Sequence, residues 1–181
     1  MTSKAFCPAH ITGFFSLPLK GKNYENDERM GSRGAGFSID LGVKAEVEVG
    51  DEGWDIIVNG EKTSFMVVEK TVFNFAPGGT VSLETDLPFS QGFGLSGACA
   101  LSAGMAVLDE LGQNLDRALP AAHKAEMFCR TGMGDVLAQS KGGFEVRVKE
   151  GLPPNGEISV EEVEKDLVVA VAGSQLMTPD I

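Results

Sequence analysis

Residues 88–111, PFSQGFGLSGACALSAGMAVLDEL, constrain the chain more than any other stretch. A glycine-rich turn, Gly92-Phe93-Gly94-Leu95-Ser96-Gly97, runs straight into small and aliphatic residues that stop at Gly112. The pattern predicts a loop feeding a buried helix. Free backbone N–H groups at a helix start, together with the positive end of the helix dipole, make a seat for an anion such as a phosphate. Glycine permits the torsions and close approach that such a seat needs. The same glycines would also serve if they only let a helix pack tightly on a sheet, and a bare Gly-x-Gly does not separate the two readings.

A chain of 181 residues with 43% apolar and 23% charged residues can bury a sizeable core. Fifteen Lys and Arg stand against 26 Asp and Glu, a formal charge of -11, and no basic run occurs, which argues against a nucleic-acid partner. Net acidity does not exclude a nucleotide, whose phosphates respond to local N–H groups, a few cations and Mg²⁺. Cys7, Cys99 and Cys129 are odd in number and scattered, so they predict free thiols in a reducing cytoplasm. The N-terminus lacks the apolar core of a signal peptide. Residues 98–111, the most apolar window, are broken by Ser102, Gly104, Asp109 and Glu110, and no membrane partner is expected.

Along the chain, residues 4–17 read as two short strands meeting at a Pro8-Ala9-His10 bend, with Gly13 allowing another backbone close. Residues 18–32 are polar and read as an exposed connection to a second glycine cluster, GSRGAGF, at 31–37. Val43, Ala45, Val47 and Val49 alternate with charged residues on one strand face. Residues 54–58 and 61–64 flank Asn59-Gly60, a hairpin signal for a type I′ turn. Residues 65–75 place Val68, Val72 and Phe75 at helical spacing; their β-branched content competes, and a helix is favoured. Residues 80–87 alternate as a strand. Asp116 is a candidate cap for a second helix that tolerates Pro120 and runs to about Cys129. A third glycine turn, at 131–135, precedes a short helix through Gln139. Phe144, Val146 and Val148 then alternate with Glu145, Arg147 and Lys149 as a half-buried strand. Residues 151–156 read as a linker and 167–172 as a last strand. Without regular βαβ alternation, this order predicts an α+β domain with a mixed or antiparallel sheet packed on helices. The three glycine turns suggest a ligand held largely by backbone.

With its order of motifs the chain resembles the GHMP kinases, a superfamily that includes galactokinase, homoserine kinase and mevalonate kinase. Pro88-x-x-x-Gly92-Phe93-Gly94-Leu95-Ser96-Gly97-Ala98 is similar to that family's phosphate-binding signature P-x-x-x-G-L-G-S-S-A, from which Phe93, Leu95 and Gly97 depart. Cys7-Pro8-Ala9-His10 stands where the family has A-P-G-K, and Gly134-Asp135 with Gly142-Gly143 resembles the segment of its catalytic aspartate. The stretches PAHITGFF, GSRGAGF, SQGFGLSGA and TGMGDVLAQSKGG are most similar to those of the archaeal pantoate kinases.

The resemblance implies the family's N-terminal domain, which is ribosomal protein S5 domain 2-like, over residues 1–152. Residues 153–181 are then a linker and the start of a truncated C-terminal domain. It implies ATP and Mg²⁺ as cofactors, and phosphorylation of pantoate at its primary hydroxyl in coenzyme A synthesis. The implied partners are a small-molecule substrate and, in a homodimer, a second copy of the chain. Pro88, Gly92, Gly94, Leu95, Ser96, Gly97 and Ala98 would form the ATP-phosphate loop, and Ser96 and Glu126 would bind Mg²⁺, for which a hydroxyl and a carboxylate are suitable ligands. Asp135 would accept or orient the hydroxyl proton, with His10 where mevalonate kinase carries a lysine. Arg33, framed by Ser32 and Gly34, would hold the substrate carboxylate, with Thr131 also on the substrate.

Each residue also has a structural reading. Ser96 or Asp135 would serve as a helix N-cap, Glu126 as a solvated surface charge, His10 as a structural group in a bend, and Arg33 as half of a surface ion pair. Cys7, His10, His123 and Cys129 offer a zinc-ligand set in principle, though their spacing matches no zinc signature.

Overall fold

The computed structural model describes residues 2–17 and 29–171. Most of the polar connection expected at 18–32 therefore lies outside the described residues. The elements in chain order are β1 (Ser3–Ser16), β2 (Arg33–Gly50), β3 (Gly53–Val58), β4 (Glu61–Thr63), α1 (Met66–Val72), β5 (Gly78–Glu84), α2 (Leu95–Glu110), a 3₁₀ turn (Leu115–Arg117), α3 (Ala118–Cys129), α4 (Asp135–Lys141), β6 (Phe144–Lys149) and β7 (Glu157–Glu161). One sheet runs β4-β3-β5-β2-β6-β7, and β1 pairs with β2. Every pairing is antiparallel except β3 with β5, which gives the α+β domain that the element order predicted.

Strand β2 is the spine. Its Val43, Ala45 and Val47 are fully buried, as their alternation with Lys44, Glu46 and Glu48 requires, and they join the core with α2. Twelve of the sixteen residues of α2 are buried, so the helix predicted after the glycine turn forms the centre of the molecule. Helix α1 crosses it at Gly104, where a Cβ would come within 3.0 Å of Thr71 Cγ2. Burial of Val67, Val68 and Val72 between these helices outweighs the strand preference of α1's β-branched residues. Asn59 (φ 49°) and Gly60 (φ 84°) both take the positive torsions of the predicted I′ hairpin. Among the described residues no helix is long and apolar enough to cross a membrane.

Four expectations are corrected. The segment read as two strands is one, β1, because Pro8 and Gly13 sit at register shifts against β2 that bend the strand without ending it. Asn114, not Asp116, caps the chain before α3: its side chain accepts from the Asp116 N–H and opens the 3₁₀ turn, so α3 begins from a residue that is already helical. In β6 the faces are reversed. Glu145 and Arg147 are buried while Val148 is exposed, because the charged face turns toward polar partners on β1. The strand expected at 167–172 is not formed through its described residues, 167–171, which are exposed and unpaired in any sheet; Ala172 lies outside the described residues. Among the described residues the last strand is β7, joined to β6 by a tight turn at 151–156 in which the Gly156 N–H donates to the Leu152 carbonyl.

Candidate functional site

The loop before α2 is built from backbone torsions that side chains rarely adopt: Ser90 at φ 58°, Gly92 at 81° and Gly94 at 62°. Gly94 precedes the first turn of α2, and no side chain caps that helix, leaving its leading N–H groups to other acceptors. Two contacts hold the loop. The His10 N–H donates to the Phe93 carbonyl at 3.0 Å, and the Gln139 Nε2 donates to the Gly94 carbonyl at 2.8 Å. Within the predicted phosphate loop Pro88 and Gly92 are exposed and Gly94 and Ser96 partly so, whereas Leu95, Gly97 and Ala98 are buried and belong to the packing of the helix. Gly97 has a local reason. A Cβ there would lie 2.9 Å from Gln139 Oε1 and 2.9 Å from Val136 Cγ2, so α4 packs where a larger residue would stand.

Ser96 does not cap α2; its hydroxyl donates to Glu126 Oε1 at 2.6 Å. The Thr131 hydroxyl donates to the same oxygen at 2.9 Å. Glu126 is no surface charge. It is 1% exposed in the last turn of α3, and its Oε2 occupies the space that a side chain at Gly132 would need. Burial, and next the nearby Asp135 charge, push its carboxyl up to about 7, against the opposing hydrogen bonds from Ser96 and Thr131.

Asp135 opens α4 without capping it by a side-chain bond. Its Oδ1 accepts from His10 Nδ1 at 3.0 Å and from the Thr12 hydroxyl at 3.3 Å. The other ring nitrogen of His10, Nε2, lies 3.1 Å from Glu145 Oε1, and Arg147 Nη1 donates to that same oxygen. Both ring nitrogens thus face carboxyl oxygens, and ionised carboxylates only accept, an arrangement that favours the doubly protonated imidazole. Burial lowers the His10 pKa, but its bonds to Asp135 and Glu145 reverse this and leave it above the usual histidine value. At Asp135 burial acts upward, and the His10 bond and charge, Arg147 and Thr12 prevail, holding it below the ordinary carboxylate range. Gly36 makes the arrangement possible, since a side chain there would occupy the place of the imidazole.

Ser32 and Gly34 reach the edge of this cluster. The Ser32 N–H donates to the Met133 carbonyl at 2.7 Å, and a Cβ at Gly34 would sit 3.1 Å from Arg147 Nη2. Arg33, with half its side chain exposed, donates through Nε to Glu150 Oε2 at 2.7 Å, the ion pair that was its structural reading. The zinc set is not gathered: His10 is held between two carboxylates, His123 Nε2 lies 3.1 Å from the Met30 carbonyl, and the Cys7 thiol donates to the Pro8 carbonyl. The residues that sequence reasoning missed are Thr12, Gln139, Glu145 and Arg147. A glycine standing for the family's alanine at 97 is a signal that something fills that space. Two charges alternating on a β-strand read as solvent-facing unless their partners are known.

The model for the GHMP kinases N terminal domain matches residues 62–143. A pantoate kinase from Methanocaldococcus jannaschii is 34% identical over 97% of the chain and 66% of its own length. One from Thermococcus kodakarensis is 34% identical over 100% of the chain and 63% of its own length. A solved structure described as a phosphotransferase related to the CoA biosynthesis pathway superposes with a TM-score of 0.76 at 34% identity, covering 91% of this chain and 58% of that one. The chain thus spans just under two thirds of the length of these relatives. Matching motifs, a matching fold and a third of the residues identical over almost its whole length lead to one conclusion: the chain belongs to the GHMP kinase superfamily.

Proposed function

We propose that the chain carries the nucleotide and acceptor sites of a kinase that transfers the terminal phosphoryl group of ATP to the primary hydroxyl of pantoate. The observation that carries this reading is the convergence of three features in one cluster: the uncapped start of α2, the Ser96–Glu126 pair and the Asp135 carboxylate. Its support in substrate class is the likeness to the two pantoate kinases.

The residues present suit Mg-ATP. Gly92 opens onto free space, where a Cβ would meet nothing within 4 Å, and the α2 N–H groups beside it would receive phosphate oxygens. Ser96 and Glu126 would hold Mg²⁺, because Glu126 shares its pocket with the Asp135 charge and a cation there relieves that repulsion. Bound Mg-ATP supplies the transferable phosphoryl group together with the positive charge that offsets its oxygens. The rest is done by the protein. His10 and Thr12 fix Asp135 through Oδ1, leaving Oδ2 to take the proton of the acceptor hydroxyl. The lowered pKa keeps that carboxylate ionised at neutral pH. Arg33 and Ser32 stand at the entry to β2 next to the cluster, and the Arg33 guanidinium, half exposed, would take the acceptor's carboxylate.

Incubating the purified protein with Mg-ATP and, separately, pantoate, mevalonate, homoserine and shikimate tests the reading. ADP release that depends on pantoate is expected. Release that depends on another acceptor, or on none, overturns the substrate assignment.

A further inference from the structure

We infer that Glu145 is a positioning residue for phosphoryl transfer: it anchors His10 from behind, so that the imidazolium holds Asp135 in place. This rests on the reading of Asp135 as the acceptor's partner. The geometry is a buried chain, Arg147–Glu145–His10–Asp135, running from β6 through β1 to the first turn of α4. Glu145 and His10 have side chains with no exposure at all, and Asp135 at the open end is 26% exposed. An interior carboxylate costs several kcal/mol in desolvation, so Glu145 needs a task in the fold or at the site. A purely structural acid would be satisfied by Arg147 alone. Glu145 instead shares Oε1 between Arg147 and the ring nitrogen that points away from the pocket. That bond bears on which protons His10 carries: the Glu145 carboxylate keeps a proton on the far nitrogen, and the near nitrogen donates to Asp135 once the ring holds its second proton, which the two carboxylates together favour.

The charged groups facing His10 are Asp135 from α4 and Glu145 and Arg147 from β6. Strand β2 presents Gly36, β1 itself adds the Thr12 hydroxyl, and α2 carries its only charges, Asp109 and Glu110, at its far end. Two negative neighbours against one positive favour the imidazolium. With Glu145 neutral the balance is one against one, and His10 loses its proton at lower pH.

The test has an arm that needs no substrate. In the full chain, side-chain ¹⁵N shifts of His10 report both protonation and tautomer. The wild-type ring is expected to be doubly protonated at pH 7, and a neutral ring there overturns the proposal whether or not any variant folds. In Glu145→Gln, which keeps an oxygen for Arg147, the His10 midpoint is expected to fall by about 1 pH unit or more. In the kinase assay, kcat of this variant is expected to drop roughly 10–100-fold, as for other partners that orient a working group, with KM for ATP unchanged. The alkaline limb of its pH profile moves to lower pH, and Glu145→Asp restores part of the rate. An unmoved His10 midpoint, or a change in KM for ATP alone, overturns the role. Failure of pantoate-dependent turnover in the wild type, with the His10 shifts as expected, sinks the substrate reading and leaves the coupling of Glu145 to His10 intact.

Discussion

Glu126 and Asp135 bring carboxyls into the same pocket, one from the last turn of α3 and one from the first turn of α4, yet their surroundings drive them apart. Among the described residues Glu126 accepts from two hydroxyls, Ser96 and Thr131, and burial with a negative neighbour raises it to about 7. Asp135 has an imidazolium and, beyond it, a guanidinium, and these overcome its burial and lower it. The difference is the supply of positive charge. Among the described residues, the carboxylate set beside the protein's own cations suits the proton-accepting role proposed for Asp135, and the carboxyl set apart from them suits the Mg²⁺ site proposed for Glu126. Pairs of acids whose environments separate their pKa values mark a division of labour.

The comparison breaks most sharply at Asp135. Asp135→Asn keeps the shape but neither the charge nor the basicity, and kcat is expected to fall by roughly 10²–10⁴-fold, with an unchanged circular dichroism spectrum. Turnover at the wild-type rate would remove Asp135 from proton transfer.

Glu126 sharpens the other side through pH. Its folded pKa is raised above the unfolded value, so the folded state holds more protons between about 4.5 and 7. The stability it contributes is complete below the unfolded pKa and is lost as pH rises through the folded one, a loss of roughly 3 kcal/mol. Glu126→Gln is expected to flatten the decline in melting temperature between pH 5 and 8 and to abolish kinase activity. An equally steep decline in the variant would assign the pH dependence to other groups.

The smallest expected effect lies in the loop. Gly94→Ala puts a side chain at φ 62° and 2.9 Å from Gln139 Nε2, and is expected to cost about 1–2 kcal/mol in chemical denaturation. It also raises KM for ATP while leaving the His10 titration unchanged. A shift of His10 in this variant would mean that the two halves of the pocket are not separable.

Much of this was legible in the sequence. The glycine turn, the buried helix after it, the Asn59-Gly60 hairpin and the valine face of β2 follow from local rules of torsion and periodicity. Ser96, Glu126, His10 and Asp135, named from motifs on four separate segments, lie in one cluster. What stayed hidden depends on long-range pairing. Glu145 and Arg147 alternate with valines as solvent-facing charges do, and only the register of β6 against β2, with His10 on the neighbouring strand, turns them inward. The run at 167–171 is apolar enough for a strand but has no partner in the sheet. The glycine frame of Arg33 points to a substrate, and its bond to Glu150, just past the end of β6, lies beyond the reach of local pattern.

The most direct test of the contrast is a side-chain carboxyl ¹³C titration of the protein, alone and with Mg²⁺ and a non-hydrolysable ATP analogue. Glu126 is expected to titrate near 7 in the free protein and to fall into the ordinary carboxylate range when Mg²⁺ and the nucleotide are added, while Asp135 stays ionised throughout. A Glu126 that titrates as an exposed glutamate, or whose midpoint ignores Mg²⁺, would contradict it.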